Sequence, residues 1–179
     1  KGTGTVDASA VTGDVTLVQA GGEGELTMVG SSTAANTATF TGTTVASSYT
    51  GGEGNDTVVF ANTAGAGTAT ATAVVGNGTN TVSANALTTG DFVVIGGTGR
   101  DIVNATALTT GNVTAELSDG NNTVTIGAAD EDALLGAVVA VETGSGDDTL
   151  TIADNIDGTN ITAVLGSGSN IVNIGGTVA

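Results

Sequence analysis

The sequence predicts an all-β chain wound as a right-handed parallel β-solenoid, with two strands per coil of about 21–26 residues. Three observations predict it. A glycine-acid phrase recurs down the chain. Each copy runs into a short strand with period-two alternation. The chain is nearly free of aromatics (2%) and rich in Ala and Val, which suits a narrow interior lined by small side chains.

The phrase is clearest at Gly144-Ser145-Gly146-Asp147-Asp148, at Gly52-Glu53-Gly54-Asn55-Asp56 and at Gly97-Thr98-Gly99-Arg100-Asp101. Looser copies are Gly76–Asn80, Ser118–Asn122 and Gly166–Asn170, and degenerate ones are Gly2-Thr3-Gly4 and Gly22-Glu23-Gly24. Glycine supplies the tight turn, because it tolerates positive φ. One complete unit runs from Gly97 to Leu117: the phrase, a strand at Ile102–Ala105, a second corner at Ala107–Asn112 and a second strand at Val113–Leu117. The unit before it repeats that second corner as Ala86-Leu87-Thr88-Thr89-Gly90-Asp91. Each coil therefore has two corners, and only one carries the phrase.

Alternation fixes which side chains face inward. After the phrase, the apolar ranks are Val58/Phe60, Val82/Ala84, Val103/Ala105, Val124/Ile126, Leu150/Ile152 and Val172/Ile174. In the other strand they are Ala71/Ala73/Val75, Phe92/Val94, Val113/Ala115/Leu117, Val139/Val141 and Ile161/Ala163/Leu165. The intervening positions, mostly Thr, face out. Two wide spacings read as insertions bulging from the second corner, near 30–48 and 127–137. The first holds the polar loop Ser31–Asn36, and the second an acidic turn, Asp130-Glu131-Asp132, followed by a short helix. Residues 1–179 read as a single solenoid domain, and ends that fall within a repeat read as a fragment of a longer repeat protein.

Composition narrows function. Net charge is −16, with Lys1 and Arg100 the only basic residues, so nucleic acid is a poor partner. Cys and His are absent, which removes disulfides, zinc sites and the usual base–nucleophile pairs and argues against an enzyme. No apolar run reaches the length of a membrane span, and no signal-peptide pattern follows Lys1. A chain this acidic repels itself unless a cation neutralises it, and a divalent metal is the natural candidate.

The phrase resembles the glycine-rich nonapeptide of RTX proteins, Gly-Gly-x-Gly-x-Asp-x-aliphatic-x, which builds a calcium-loaded β-roll. The match is complete at Gly51–Val59 and at Gly96–Asn104, and at Thr143–Thr151 only the first glycine is lost. This chain departs from that pattern in carrying the phrase at one corner and in its longer coil. The resemblance implies a Ca2+ column held by the side chains of Asp56, Asp101 and Asp148 and the carbonyls of Gly52, Gly54, Gly97, Gly99, Gly144 and Gly146. The side-chain position alternates with Asn80, Asn122 and Asn170, which implies a weakly charged column of modest affinity. Uncharged turn chemistry is the competing explanation for the Asn copies.

In its low Lys/Arg, lack of Cys and Thr/Ala/Gly/Val richness, the chain also resembles repeat regions of bacterial surface-layer proteins. That resemblance implies a secreted, cell-surface structural protein that assembles with copies of itself into a layer or filament, with cell-surface polysaccharide as a further partner. The alternative is an RTX calcium-binding module of a secreted adhesin or exported enzyme. A lesser one is an ice-binding solenoid, suggested by the outward ranks of Thr57, Thr81, Thr123 and Thr149 but interrupted by Ile102 and Ile171. Glu116 and Glu142 are expected at one outward position on adjacent coils.

Overall fold

The computed structural model describes residues 2–21, 24–41, 46–61, 70–127, 134–152 and 156–175. Among them every regular element is a strand. The first coils are β1 (Thr3–Asp7) with β2 (Val15–Gln19), β3 (Glu25–Val29) with β4 (Asn36–Phe40), and β5 (Ser47–Thr50) with β6 (Thr57–Phe60). Then come β7 (Thr70–Gly76) with β8 (Asn80–Ser83), β9 (Asp91–Gly96) with β10 (Asp101–Ala105), and β11 (Val113–Glu116) with β12 (Thr123–Ile126). The last coils are β13 (Leu134–Leu135), β14 (Val138–Ser145) and β15 (Thr149–Ile152), then β16 (Ile156–Asp157), β17 (Asn160–Ser167) and β18 (Ile171–Ile174).

Two parallel eight-stranded sheets result. Sheet I runs β1-β3-β5-β7-β9-β11-β14-β17, and sheet II runs β2-β4-β6-β8-β10-β12-β15-β18. Each coil crosses from sheet I to sheet II at a first corner and returns at a second, where β13 pairs β16. This is the predicted parallel β-solenoid with two strands per coil.

The registers bring the predicted ranks together. Val58 pairs Val82, Val82 pairs Val103, Val103 pairs Val124, and Val124 pairs Leu150. All five are buried, as are Ala73, Val94, Ala115 and Val141 on the opposing sheet. Each buried Val or Leu contributes roughly 1.5–3 kcal/mol relative to exposure, and β-branched side chains suit the pleated backbone. Bulk concentrates toward the first coils. Phe40 stacks on Phe60 with centroids 4.9 Å apart, Phe60 meets Phe92 edge-on at 6.2 Å, and Tyr49 and Met28 are fully enclosed. Beside them the second corner is sealed by buried Leu87, Leu108 and Leu134.

The structure corrects four expectations. Val172 and Ile174 are each 48% exposed, because β18 is the last strand of its sheet and nothing stacks on its free side. Ser31–Asn36 is no bulge of the second corner: it is the first corner of an ordinary coil, and β4 pairs β6 in register. The degenerate copies are misplaced as well. Gly24 lies against Gly2 on the entry to sheet I, so both belong to the second corner; Gly22 and Glu23 lie outside the described residues. Finally, Leu134–Leu135 is the short strand β13 rather than helix, with the Leu135 N–H on the Thr109 carbonyl at 3.0 Å. Asp130-Glu131-Asp132 lies outside the described residues.

Candidate functional site

Period-two alternation runs backward from the core into the turn. Val58 and Phe60 face inward, so Asp56, at the same parity, does too. Asp56, Asn80, Asp101, Asn122 and Asp148 are all buried, at 0–2% exposure. With Asn36, which the sequence reading missed, and Asn170, they form one column of alternating Asn and Asp, spaced 20, 24, 21, 21, 26 and 22 residues apart.

The column is a hydrogen-bonded ladder. The backbone N–H of Asn36 and its Nδ2 both donate to Asp56 Oδ1, at 3.0 and 2.8 Å. The Asp56 N–H donates to Asn80 Oδ1 at 2.8 Å, and Asn80 Nδ2 donates to Asp101 Oδ1 at 2.8 Å. The N–H groups of Asp101, Asn122 and Asp148 donate to Asn122 Oδ1 (2.9 Å), Asp148 Oδ1 (2.8 Å) and Asn170 Oδ1 (2.9 Å). The Asn rungs also close their own turns: Asn122 Nδ2 donates to the Ser118 and Gly120 carbonyls at 3.0 and 3.1 Å. An Asn side chain thus donates and accepts, whereas an ionised Asp side chain only accepts, so each Asp carboxylate accepts from the Asn before it and its backbone N–H donates to the Oδ1 of the Asn after it.

The ladder starts at Asn36. Its Oδ1 accepts from Ser31 N–H at 2.7 Å, and Val15 occupies the equivalent position one coil earlier. Gly30 opens this turn as Gly51 opens the next, but Ser32 and Ala34 stand where that turn has Gly52 and Gly54. Ser31 Oγ holds the turn, accepting from the N–H groups of Thr33 and Ala34 and donating to the Val11 carbonyl at 2.6 Å.

Outside the buried ladder, exposed Asx side chains stitch the coils in the opposite direction. Asn55 Oδ1 accepts from Thr79 N–H (2.9 Å), Asn121 Oδ1 from Asp147 N–H (2.9 Å), and Asp147 Oδ1 from Ser169 N–H (2.8 Å). Asn77 Oδ1 takes Thr98 N–H (2.8 Å), and Asp119 Oδ1 takes both the N–H and Oγ of Ser145 (2.7 Å each). Those bonds from Ser145 hold the Asp119 carboxyl below its ordinary pKa. At the second corner Asp91 Oδ1 accepts from Asn112 N–H, and Asn112 Oδ1 from Val138 N–H.

The glycines serve the same stacking. A Cβ on Gly99 would overlap the Gly78 carbonyl oxygen, and one on Gly120 would overlap that of Gly99. Gly146 and Gly168 repeat the contact with Gly120 and Gly146. The carbonyls of Gly52, Gly54, Gly99, Gly144 and Gly146, which the resemblance assigns to an ion, therefore lie against the next coil's backbone.

The three Asp rungs differ at Oδ2. Asp56 accepts there from the buried Tyr49 hydroxyl at 3.0 Å, and Asp148 from Thr143 Oγ1 at 2.7 Å. Asp101 Oδ2 is buried with no partner, beneath Gly96. Desolvation raises the Asp56 pKa, opposed by the bonds from Asn36 and Tyr49. The same burial, with Asp56 adjacent, raises that of Tyr49. For Asp101, desolvation outweighs the bonds from Asn80 and pushes the pKa up to about 6.

A raised folded-state pKa stabilises the fold most below the ordinary carboxylate value of 3.8, and that contribution is lost as pH rises through about 6. Stability measured by urea melts is therefore expected to fall between pH 4.5 and 7.5. Asp101→Asn is expected to flatten that slope and to raise stability at pH 7.5 by about 1–2 kcal/mol, the cost of an unpaired buried acceptor. An unchanged slope in the variant would remove Asp101 as its source.

The predicted calcium ligands are thus brought together, but not as an ion cage. Calcium takes six to eight oxygens, and here Oδ1 of every Asp rung accepts from a protein N–H, with the rungs facing inward. In this arrangement the residues do not fit a calcium column. Among the described residues no group of three or more acidic side chains is gathered closely enough to hold a metal ion. Glu116 and Glu142 pair in register on sheet I as expected. Searches against models of known protein families, against characterised proteins and against solved structures found no match.

Proposed function

We propose that this chain is a non-catalytic structural segment of a secreted, cell-surface protein: a stiff rod that assembles with copies of itself into a layer or filament. The carrying observation is the unbroken ladder from Asn36 to Asn170, in which polar groups that could serve a site bond one coil to the next. The chemistry of the recurring phrase goes into cohesion along the axis. In this reading the Asn rungs provide the donors that an ion column would otherwise have to replace. The resemblance to surface-layer repeats supports the setting.

The test combines far-UV circular dichroism and thermal melting in EDTA and in about 10 mM calcium, well above the affinity of extracellular calcium modules, with electron microscopy of concentrated protein. A β signature retained in EDTA, a small shift in Tm and ordered sheets or fibres are expected. A chain unfolded in EDTA and folded in calcium would instead support a calcium-dependent module of a secreted adhesin or enzyme. Thermal hysteresis from a dispersed chain would support ice binding.

A further inference from the structure

The distribution of charge over the two sheets is unequal. The chain carries 18 acidic residues, yet the outward positions of sheet II, two on each of eight strands, hold none. They are Thr at most positions, with Val, Ile, Ser and Asn at the rest. The outward side of sheet I, by contrast, carries Asp7, Glu25, Glu116 and Glu142. Thr81, Thr123 and Thr149 are half-buried on this face, and Ile171 is 52% exposed.

We propose that the outward face of sheet II is the surface through which two copies of this chain associate, face to face. The inference rests on the self-assembly reading above and assigns its contact. Two copies at net charge −16 repel on approach, least where neither presents charge. Pairing sheet II with sheet II leaves the acids of sheet I on the outside. Eight strands about 4.8 Å apart, each presenting about 15 Å of length, give roughly 570 Å² per copy. The total of roughly 1,100 Å² reaches what a specific interface needs. Thr, Val and Ile are stiff at χ1, so fixing them costs little side-chain entropy.

The test is sedimentation equilibrium of the full chain at 0.15 M and about 0.5 M salt, the higher value to screen the net charge. Two double variants carry equal added charge: Thr81→Glu with Thr123→Glu on sheet II, and Thr72→Glu with Thr114→Glu on sheet I. The unmodified chain is expected to dimerise. The sheet II pair is expected to weaken dimerisation at least about 100-fold and the sheet I pair less than about 3-fold. Radical footprinting of the unmodified chain gives a readout independent of any variant: Ile102 oxidation should fall on association while Val74 oxidation stays constant. Association abolished equally by the sheet I pair, or leaving Ile102 unprotected, would overturn the face assignment while leaving self-assembly intact. A chain that stays monomeric throughout, with or without thermal hysteresis, would overturn both.

Discussion

Asn122→Asp is expected to destabilise the fold by about 3–5 kcal/mol at neutral pH, the range for an uncompensated buried charge. Asn122 stands between Asp101 and Asp148, and all three are buried. The substitution places carboxylates on three successive rungs, about one strand spacing apart. It also removes the two Nδ2 donations to the Ser118 and Gly120 carbonyls and turns acceptor oxygens toward them. Urea melts at pH 7 and 4.5 distinguish charge from shape, because the introduced carboxyl regains a donor once it is protonated. The loss should shrink at the lower pH. A variant within about 1 kcal/mol of the parent at pH 7 would show that the ladder tolerates adjacent charge and that alternation has another cause.

Gly99→Ala is the second large effect, at about 3 kcal/mol or more. Two costs combine there. The φ of Gly99 is +125°, where a side chain is strained, and its Cβ would overlap the Gly78 carbonyl of the preceding coil. Gly136 is the milder site on both counts, since its φ of +59° lies in the left-handed well and nothing lies within 4 Å of an added Cβ. Gly136→Ala should therefore cost only about 1 kcal/mol. Melts of both variants under one set of conditions give the comparison. Equal losses would leave both the wider φ of Gly99 and the close approach of coils without energetic weight.

Most of the fold is legible in the sequence because two independent signals coincide. The phrase marks one corner, and parity marks the inside. The role of the phrase is harder to read, since a glycine-rich turn ending in Asp serves an ion loop or a buried ladder equally well. The decisive clue is parity carried one step back: Asp56 shares a face with Val58 and Phe60, so its carboxylate belongs with the core. The same rule would have found the missed coil, because Asn36-Thr37-Ala38-Thr39-Phe40 reads like Asp56-Thr57-Val58-Val59-Phe60 once glycine is not required. What hid it is the loss of the alternate glycines, replaced by Ser32 and Ala34 in a turn that the Ser31 hydroxyl closes. The charge-free face of sheet II is present in composition but takes shape only when eight strands are laid in register.

The alternation of Asn and Asp also constrains how such a chain can lengthen or shorten over generations. Excising the single coil that carries Asn80 would join Asp56 to Asp101 and set two buried carboxylates face to face. Excising that coil together with the next would join Asp56 to Asn122 and leave the order intact. Duplications and deletions in even steps never set Asp against Asp, whereas single steps do so whenever an Asn coil is lost or an Asp coil is doubled. The heritable unit of this rod is a doublet of coils, although the backbone repeats with every one.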